Sequence, residues 1–200
     1  MISNFVKTYD FKNKTIYLIA NNKNIKNIDA INNIQLDENS IVVRFNGDRF
    51  NLLNKIFKNK CDIMVHTAKP GGFHGFDKKK VREQVQVFAI WNDTLSESTD
   101  INFDINTINN PQRDDILSCK NHNVEYFSSK YTGGKNPTIG FAFLMRIIEQ
   151  HKFNKIFLIG YSNLDISNNT IKVLWCHDIL AERLYYNTHI KDKYNIELIL

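Results

Sequence analysis

The chain has 200 residues and a mass of 23.4 kDa, with 42% hydrophobic and 12% aromatic content, which is enough apolar surface for one core and too little for two domains. Only 3 Pro and 8 Gly occur and 24% of residues are charged, which excludes collagen-like, linker-like and disordered classes over most of the length. Because 26 Lys and Arg are offset by 21 Asp and Glu, the formal charge of +5 permits an anionic ligand but does not form the basic stripe that nucleic acid requires.

In chain order, Met1 to Lys7 lacks a basic region followed by an apolar run, so no signal peptide is expected. The first strand is expected over Thr15 to Ala20 (TIYLIA), ending in Asn21-Asn22-Lys23-Asn24-Ile25, with Ile28-Asp29 opening the next turn. A tight turn into a helix exposes backbone N–H groups that can hold a phosphate, and Asn tolerates left-handed dihedrals where glycine would be usual; an ordinary turn is the alternative. The second strand, Ile41 to Phe45, ends in Arg44-Phe45-Asn46. The amide of Asn46 can pair with a base or sugar, or cap the following segment. A third strand over Asp62 to His66 leads into Thr67-Ala68, with His66 a weaker base candidate.

The only dense basic run, Asp77 to Arg82, follows Pro70 to Gly75 and reads as a solvated loop or an anion-attracting patch. A fourth strand is expected over Val85 to Trp91. Residues 92–123 are polar and weakly periodic, a surface excursion with a short helix from Pro111 to Lys120, or a lid. The best helix runs from Thr138 to His151, with Pro137 suited to a first turn. Ahead of it, Thr132-Gly133-Gly134-Lys135-Asn136 makes an anion cradle of free N–H groups, the Thr138 hydroxyl and the Lys135 charge. Gly140 in the first turn allows a ligand or a neighbouring strand to approach closely. Lys155 to Gly160 is the next strand, and 161–170 a second excursion or lid. His177 then precedes Asp178, where a helix is expected to begin and run through Ile179, Leu180, Leu184 and Tyr185 towards Lys193, followed by a strand over Ile196 to Leu200. A histidine there is either a general base or a structural cap.

Alternating strands and helices imply a single Rossmann-like α/β/α sandwich with a mostly parallel sheet. Ligands of such sheets bind beyond the carboxyl ends of the strands, which selects Asn21-Asn22, Asn46-Gly47-Asp48, Thr67-Ala68 and Gly160-Tyr161-Ser162-Asn163 as a pocket rim. Neither GxGxxG nor GxxxxGK[ST] occurs, so nicotinamide dinucleotide binding and P-loop chemistry are unsupported. Cys61, Cys119 and Cys176 are unclustered, which argues against a disulfide framework and a structural zinc site and for buried free thiols. No apolar run approaches the length of a spanning helix, so a soluble, cytoplasmic chain is expected.

The order of these segments resembles the sialyltransferase families, both the bacterial lipo-oligosaccharide enzymes and the eukaryotic Golgi type. The residues that carry the resemblance are Ala20-Asn21-Asn22, Val43-Arg44-Phe45-Asn46, Asn136-Pro137-Thr138-Ile139-Gly140, Ile156 to Gly160, and His177-Asp178 with Ala181-Glu182-Arg183-Leu184. The resemblance implies a sialyltransferase-like variant of the GT-A fold. It also implies a metal-independent, inverting glycosyltransferase, without a cofactor, that uses a CMP-activated sugar as donor and a glycan hydroxyl as acceptor. His177 would then deprotonate the acceptor; Asn21, Asn22 and Asn46 would bind the nucleotide, and Thr138 and Gly140 would face the phosphate or sugar. Tyr161, Tyr131 and Lys135 would stabilise the leaving phosphate. The implied partners are the nucleotide sugar and a glycan, not nucleic acid, with a peripheral position at a membrane where the acceptor is a glycolipid. The alternative is a non-catalytic nucleotide- or glycan-binding module of the same fold.

Overall fold

The computed structural model describes residues 10–20, 22, 25, 27–45, 57, 60–67, 87–91, 123–127, 137–150, 152–168 and 177–200. Seven strands make up its sheet: β1 (Thr15–Ile19), β2 (Ser40–Phe45), β3 (Ile63–Thr67), β4 (Val87–Trp91), β5 (Asn123–Phe127), β6 (Lys155–Ile159) and β7 (Ile196–Ile199). The helices are α1 (Ile28–Asn32), α2 (Ile139–Gln150) and α3 (Ile179–Tyr185), the last continued by a π-helical turn over Tyr186–Ile190.

Every pairing of these strands is parallel, in the order β5-β4-β3-β2-β1-β6-β7. Parallel sheets survive only when both faces are covered, which is why the strands read as unbroken apolar runs. Along β1, Ile16 and Leu18 join one core cluster and Tyr17 and Ile19 the other. α2 covers the first face with Phe141, Ala142, Phe143, Leu144 and Ile147, aided by Tyr186 and Ile190 of the π turn. On the opposite face, Ile31 of α1 and Phe57 pack over Tyr17, Ile19 and Val42. The architecture is therefore α/β with helices on both faces of an all-parallel sheet.

The chain winds outward from β1 to β5 and then crosses back to lay β6 against the other side of β1. The reversal makes the carboxyl ends of β1 and β6 the topological switch point, the place where such sheets accept ligands in a crevice.

Two local readings are corrected. The helix expected to continue from Asp178 to Lys193 is α-helical only to Tyr185; the Lys191 N–H then donates to the Tyr186 carbonyl five residues back, at 2.9 Å. Its buried stripe is Ile179, Glu182, Tyr186 and Ile190, whereas Leu180 and Leu184 are 60% and 66% exposed. β5 was not anticipated. The short helix expected over 111–120, the excursion around it and the basic run at 77–82 lie outside the described residues.

Candidate functional site

The switch point is built first by backbone. Gly160, directly after β6, has φ +76°, a left-handed conformation that any side chain strains. A Cβ there would stand 3.2 Å from Cβ of Asn22, which leaves β1 on the facing side. The Asn22 amide Nδ2 donates to the Gly160 carbonyl and to Ser162 Oγ, both at 3.1 Å, and so ties the two strand ends together. Of the rim residues expected from sequence, Asn22, Gly160 and Ser162 meet at this point, whereas the Tyr161 side chain turns into the core. Thr67 ends β3, two strands away from β1 in the sheet. Asn21, Asn46, Tyr131, Lys135 and Asn136 lie outside the described residues.

Tyr161 is only 3% exposed and its ring belongs to the core, edge-on to Phe45 with centroids 6.5 Å apart. Its hydroxyl is buried and has no hydrogen-bond partner among the described residues. Burial, together with the nearby Glu182 carboxylate, pushes this phenol well above its ordinary range. The hydroxyl lies against the first turn of α2: a Cβ on Gly140 would meet it at 2.6 Å. The close approach that Gly140 permits is thus made by the ring of Tyr161.

The start of α2 is held by a residue of α3. Glu182 is fully buried, at 0% exposure. One of its carboxylate oxygens accepts the Thr138 N–H; the other accepts the Thr138 hydroxyl at 3.0 Å and the Asn163 side-chain amide at 3.3 Å. A carboxylate suits this place because the N-terminus of a helix carries partial positive charge and unsatisfied N–H groups. Burial pushes the Glu182 carboxyl up to about 7, against the hydrogen bonds from Thr138, which favour the charged form, and with a further push from Asp178. Thr138 also caps its own helix, its hydroxyl accepting the Phe141 N–H at 3.4 Å.

His177 is half-buried and immediately precedes Asp178, whose Oδ1 caps α3 by accepting the Ala181 N–H at 3.0 Å. The segment after β6 is pinned to α3. Arg183 donates through Nε to the Asn163 carbonyl at 2.8 Å and through Nη1 to the Asn168 carbonyl at 2.9 Å, and Asn187 donates to the Leu164 carbonyl at 3.0 Å. Residues 161–168 accordingly form a tethered turn with Leu164 fully buried.

Sequence reasoning placed Asn163 on the rim but gave no separate role to Glu182, whose carboxylate binds the site elements together. The available signal was an acid on the buried stripe of an amphipathic helix, in phase with Ile179, Tyr186 and Ile190. Elsewhere, Cys61 is buried and its thiol is pushed up to about 12 by desolvation, so it is chemically quiet. No group of three or more metal-ligating side chains stands together among the described residues. No helix among them is long and apolar enough to cross a membrane.

Compared with known proteins, the chain matches no family model, and no curated protein matches it.

Proposed function

We propose that this chain is a sialyltransferase-like glycosyltransferase, metal-independent and inverting, which transfers sialic acid or a related acidic sugar from a CMP-activated donor to a glycan hydroxyl in the cytoplasm. The observation that carries the reading is the convergence, around the β1–β6 crevice, of the segments that the family pattern names. Asn22 is bonded to Gly160, Tyr161 abuts Gly140, and Thr138 is bonded to the helix that His177 precedes.

In the proposed reaction His177 takes the proton of the acceptor hydroxyl. The acceptor oxygen then bonds to the anomeric carbon from the face opposite the phosphate, and the bond from that carbon to the phosphate oxygen breaks, so that CMP leaves with the electron pair. The N–H groups of the first turn of α2, with Lys135, would oppose the charge developing on that phosphate.

A thermal-shift panel of CMP, UDP and GDP tests the reading: CMP is expected to raise the melting temperature most, and the absence of any shift with all three refutes it. His177→Ala is expected to abolish transfer while CMP binding persists; retained turnover removes His177 from its role.

A specific observation favours the alternative of a non-catalytic nucleotide- or glycan-binding module. The N–H and hydroxyl of Thr138 already serve the Glu182 carboxylate, which sets a negative charge beside the proposed phosphate position. Binding of CMP-sialic acid without CMP release across a panel of glycan acceptors would select that alternative.

A further inference from the structure

We propose that Glu182 is a positioning residue whose carboxylate locks the start of α2, the turn after β6 and the His177 end of α3 into one rigid unit. The proposal rests on the reading of His177 as the base of a glycosyl transfer, and it adds a residue to which that reading gave no part.

Three observations carry it. The first is redundancy: Thr138 caps α2 through its own hydroxyl, so a distant carboxylate is not needed to start the helix. The second is cost. Burying a carboxyl group at 0% exposure is unfavourable, and an apolar side chain in phase with Ile179 and Tyr186 would fill the same place more cheaply. The third is connectivity. The two carboxylate oxygens reach Thr138 at the start of α2 and Asn163 in the turn after β6, while the adjacent Arg183 holds that same turn through the carbonyls of Asn163 and Asn168. One turn of α3 therefore grips both elements that flank the crevice, and the same helix begins directly after His177. Among the described residues, the groups facing the Glu182 carboxyl are Thr138 from α2, Asn163 and Tyr161 from the turn, and Asp178 from its own helix. Apart from Asp178, they are neutral hydrogen-bonding groups rather than a charge partner, as suits a geometric clamp.

Glu182→Ala, Glu182→Gln and Asn163→Ala test the proposal, each checked by melting temperature and measured for CMP affinity, CMP release from CMP-sialic acid across glycan acceptors, and amide exchange. Asn163→Ala removes a single bond to the carboxylate and keeps the assay available if Glu182→Ala does not fold. The proposal expects CMP affinity within about threefold of wild type, kcat lower by about a hundredfold in Glu182→Ala, as for an ångström-scale misplacement of a base, and partial recovery in Glu182→Gln. Exchange should rise together at the Thr138 amide, over 161–168 and over 177–185. Unchanged kcat in folded Glu182→Ala overturns it, as does a loss carried wholly by CMP affinity. If the wild type neither binds CMP nor releases it from the donor, the functional reading has failed. The clamp is then judged by exchange alone: a joint rise over the three segments upholds it, and a rise confined to α3 overturns it.

Discussion

Substituting Gly140 by Ala probes the contact that brings α2 against the turn after β6. The added Cβ would lie 2.6 Å from the Tyr161 hydroxyl and 3.0 and 3.1 Å from two ring carbons, so the ring would have to retreat by roughly half an ångström or more to reach ordinary contact. Tyr161 is enclosed by the core and sits one residue beyond the left-handed Gly160, so it has little room to move. Overpacking of this kind costs about 1–3 kcal/mol, and the better helix propensity of Ala returns up to about 1, which leaves a net loss of about 0–3 kcal/mol, centred near 1.5. Tyr161→Phe deletes the nearest atom and a buried hydroxyl that has no hydrogen-bond partner among the described residues, so alone it should be neutral or stabilising by up to about 1 kcal/mol. In the Phe background, Gly140→Ala should lose less than about 0.5 kcal/mol, a coupling near 1 kcal/mol by urea denaturation of the four proteins. Equal losses in both backgrounds would refute the steric account. A loss above about 1.5 kcal/mol for Tyr161→Phe would show that the hydroxyl has a partner.

Glu182 makes stability depend on pH. Its carboxyl rises from the ordinary 4.5 to about 7 on folding, so the native state holds the proton more tightly, and stability is greatest below pH 4.5 and falls as pH rises towards 7. Denaturation from pH 4 to 8 should register a loss of about 3 kcal/mol from this group, and Glu182→Gln should flatten that part of the profile; a Gln variant with the wild-type slope would exclude Glu182 as its source. Gly160→Ala, at positive φ and facing Asn22, should cost about 2 kcal/mol by the same assay, and a neutral result would contradict the strained geometry. Asp178→Ala should cost about 1 kcal/mol through loss of the α3 cap, whereas no change would mean that the N–H of Ala181 finds another acceptor. With Cys119 and Cys176 replaced by Ser, native Cys61 should react with a thiol reagent at pH 8 at least about a hundredfold more slowly than the unfolded chain, and comparable rates would disprove its burial.

The strands were legible where both faces of the sheet are covered, because burial on both sides writes an unbroken apolar run. Thr15 to Ala20 against the observed Thr15–Ile19 is typical of the agreement. β5 escaped for the opposite reason: it lies at the edge of the sheet, and Asn123 and Glu125 break the run that Val124, Tyr126 and Phe127 would otherwise have made. Its alternation was the available signal. Helical spacing located α3 through Ile179, Leu180, Leu184 and Tyr185 but could not tell which stripe faces inward; the buried Ile179, Glu182 and Tyr186 decide it. The strand-end rule chose residues that do meet, Asn22 with Gly160, although neither turn alone predicts the other. That the closeness of Gly140 serves a tyrosine ring could only be learned in three dimensions, since Tyr161 looked from sequence like a polar residue of the rim.

The pairing of β1 with β6 also governs the order in which the molecule can come into being. Thr15 faces Lys155 and Ile19 faces Ile159 across a loop of chain about 140 residues long, so the β1–β6 ladder is among the sheet's most distant contacts in sequence. Closing so long a loop carries an entropic cost before any contact rewards it, and topologies of this kind fold slowly. Until β6 arrives, β1 has an open edge, Asn22 lacks its acceptor at Gly160, and the crevice has one wall. Formation of the Asn22–Gly160 contact would therefore time a late, long-range step of folding, whereas helical signal would return well before it.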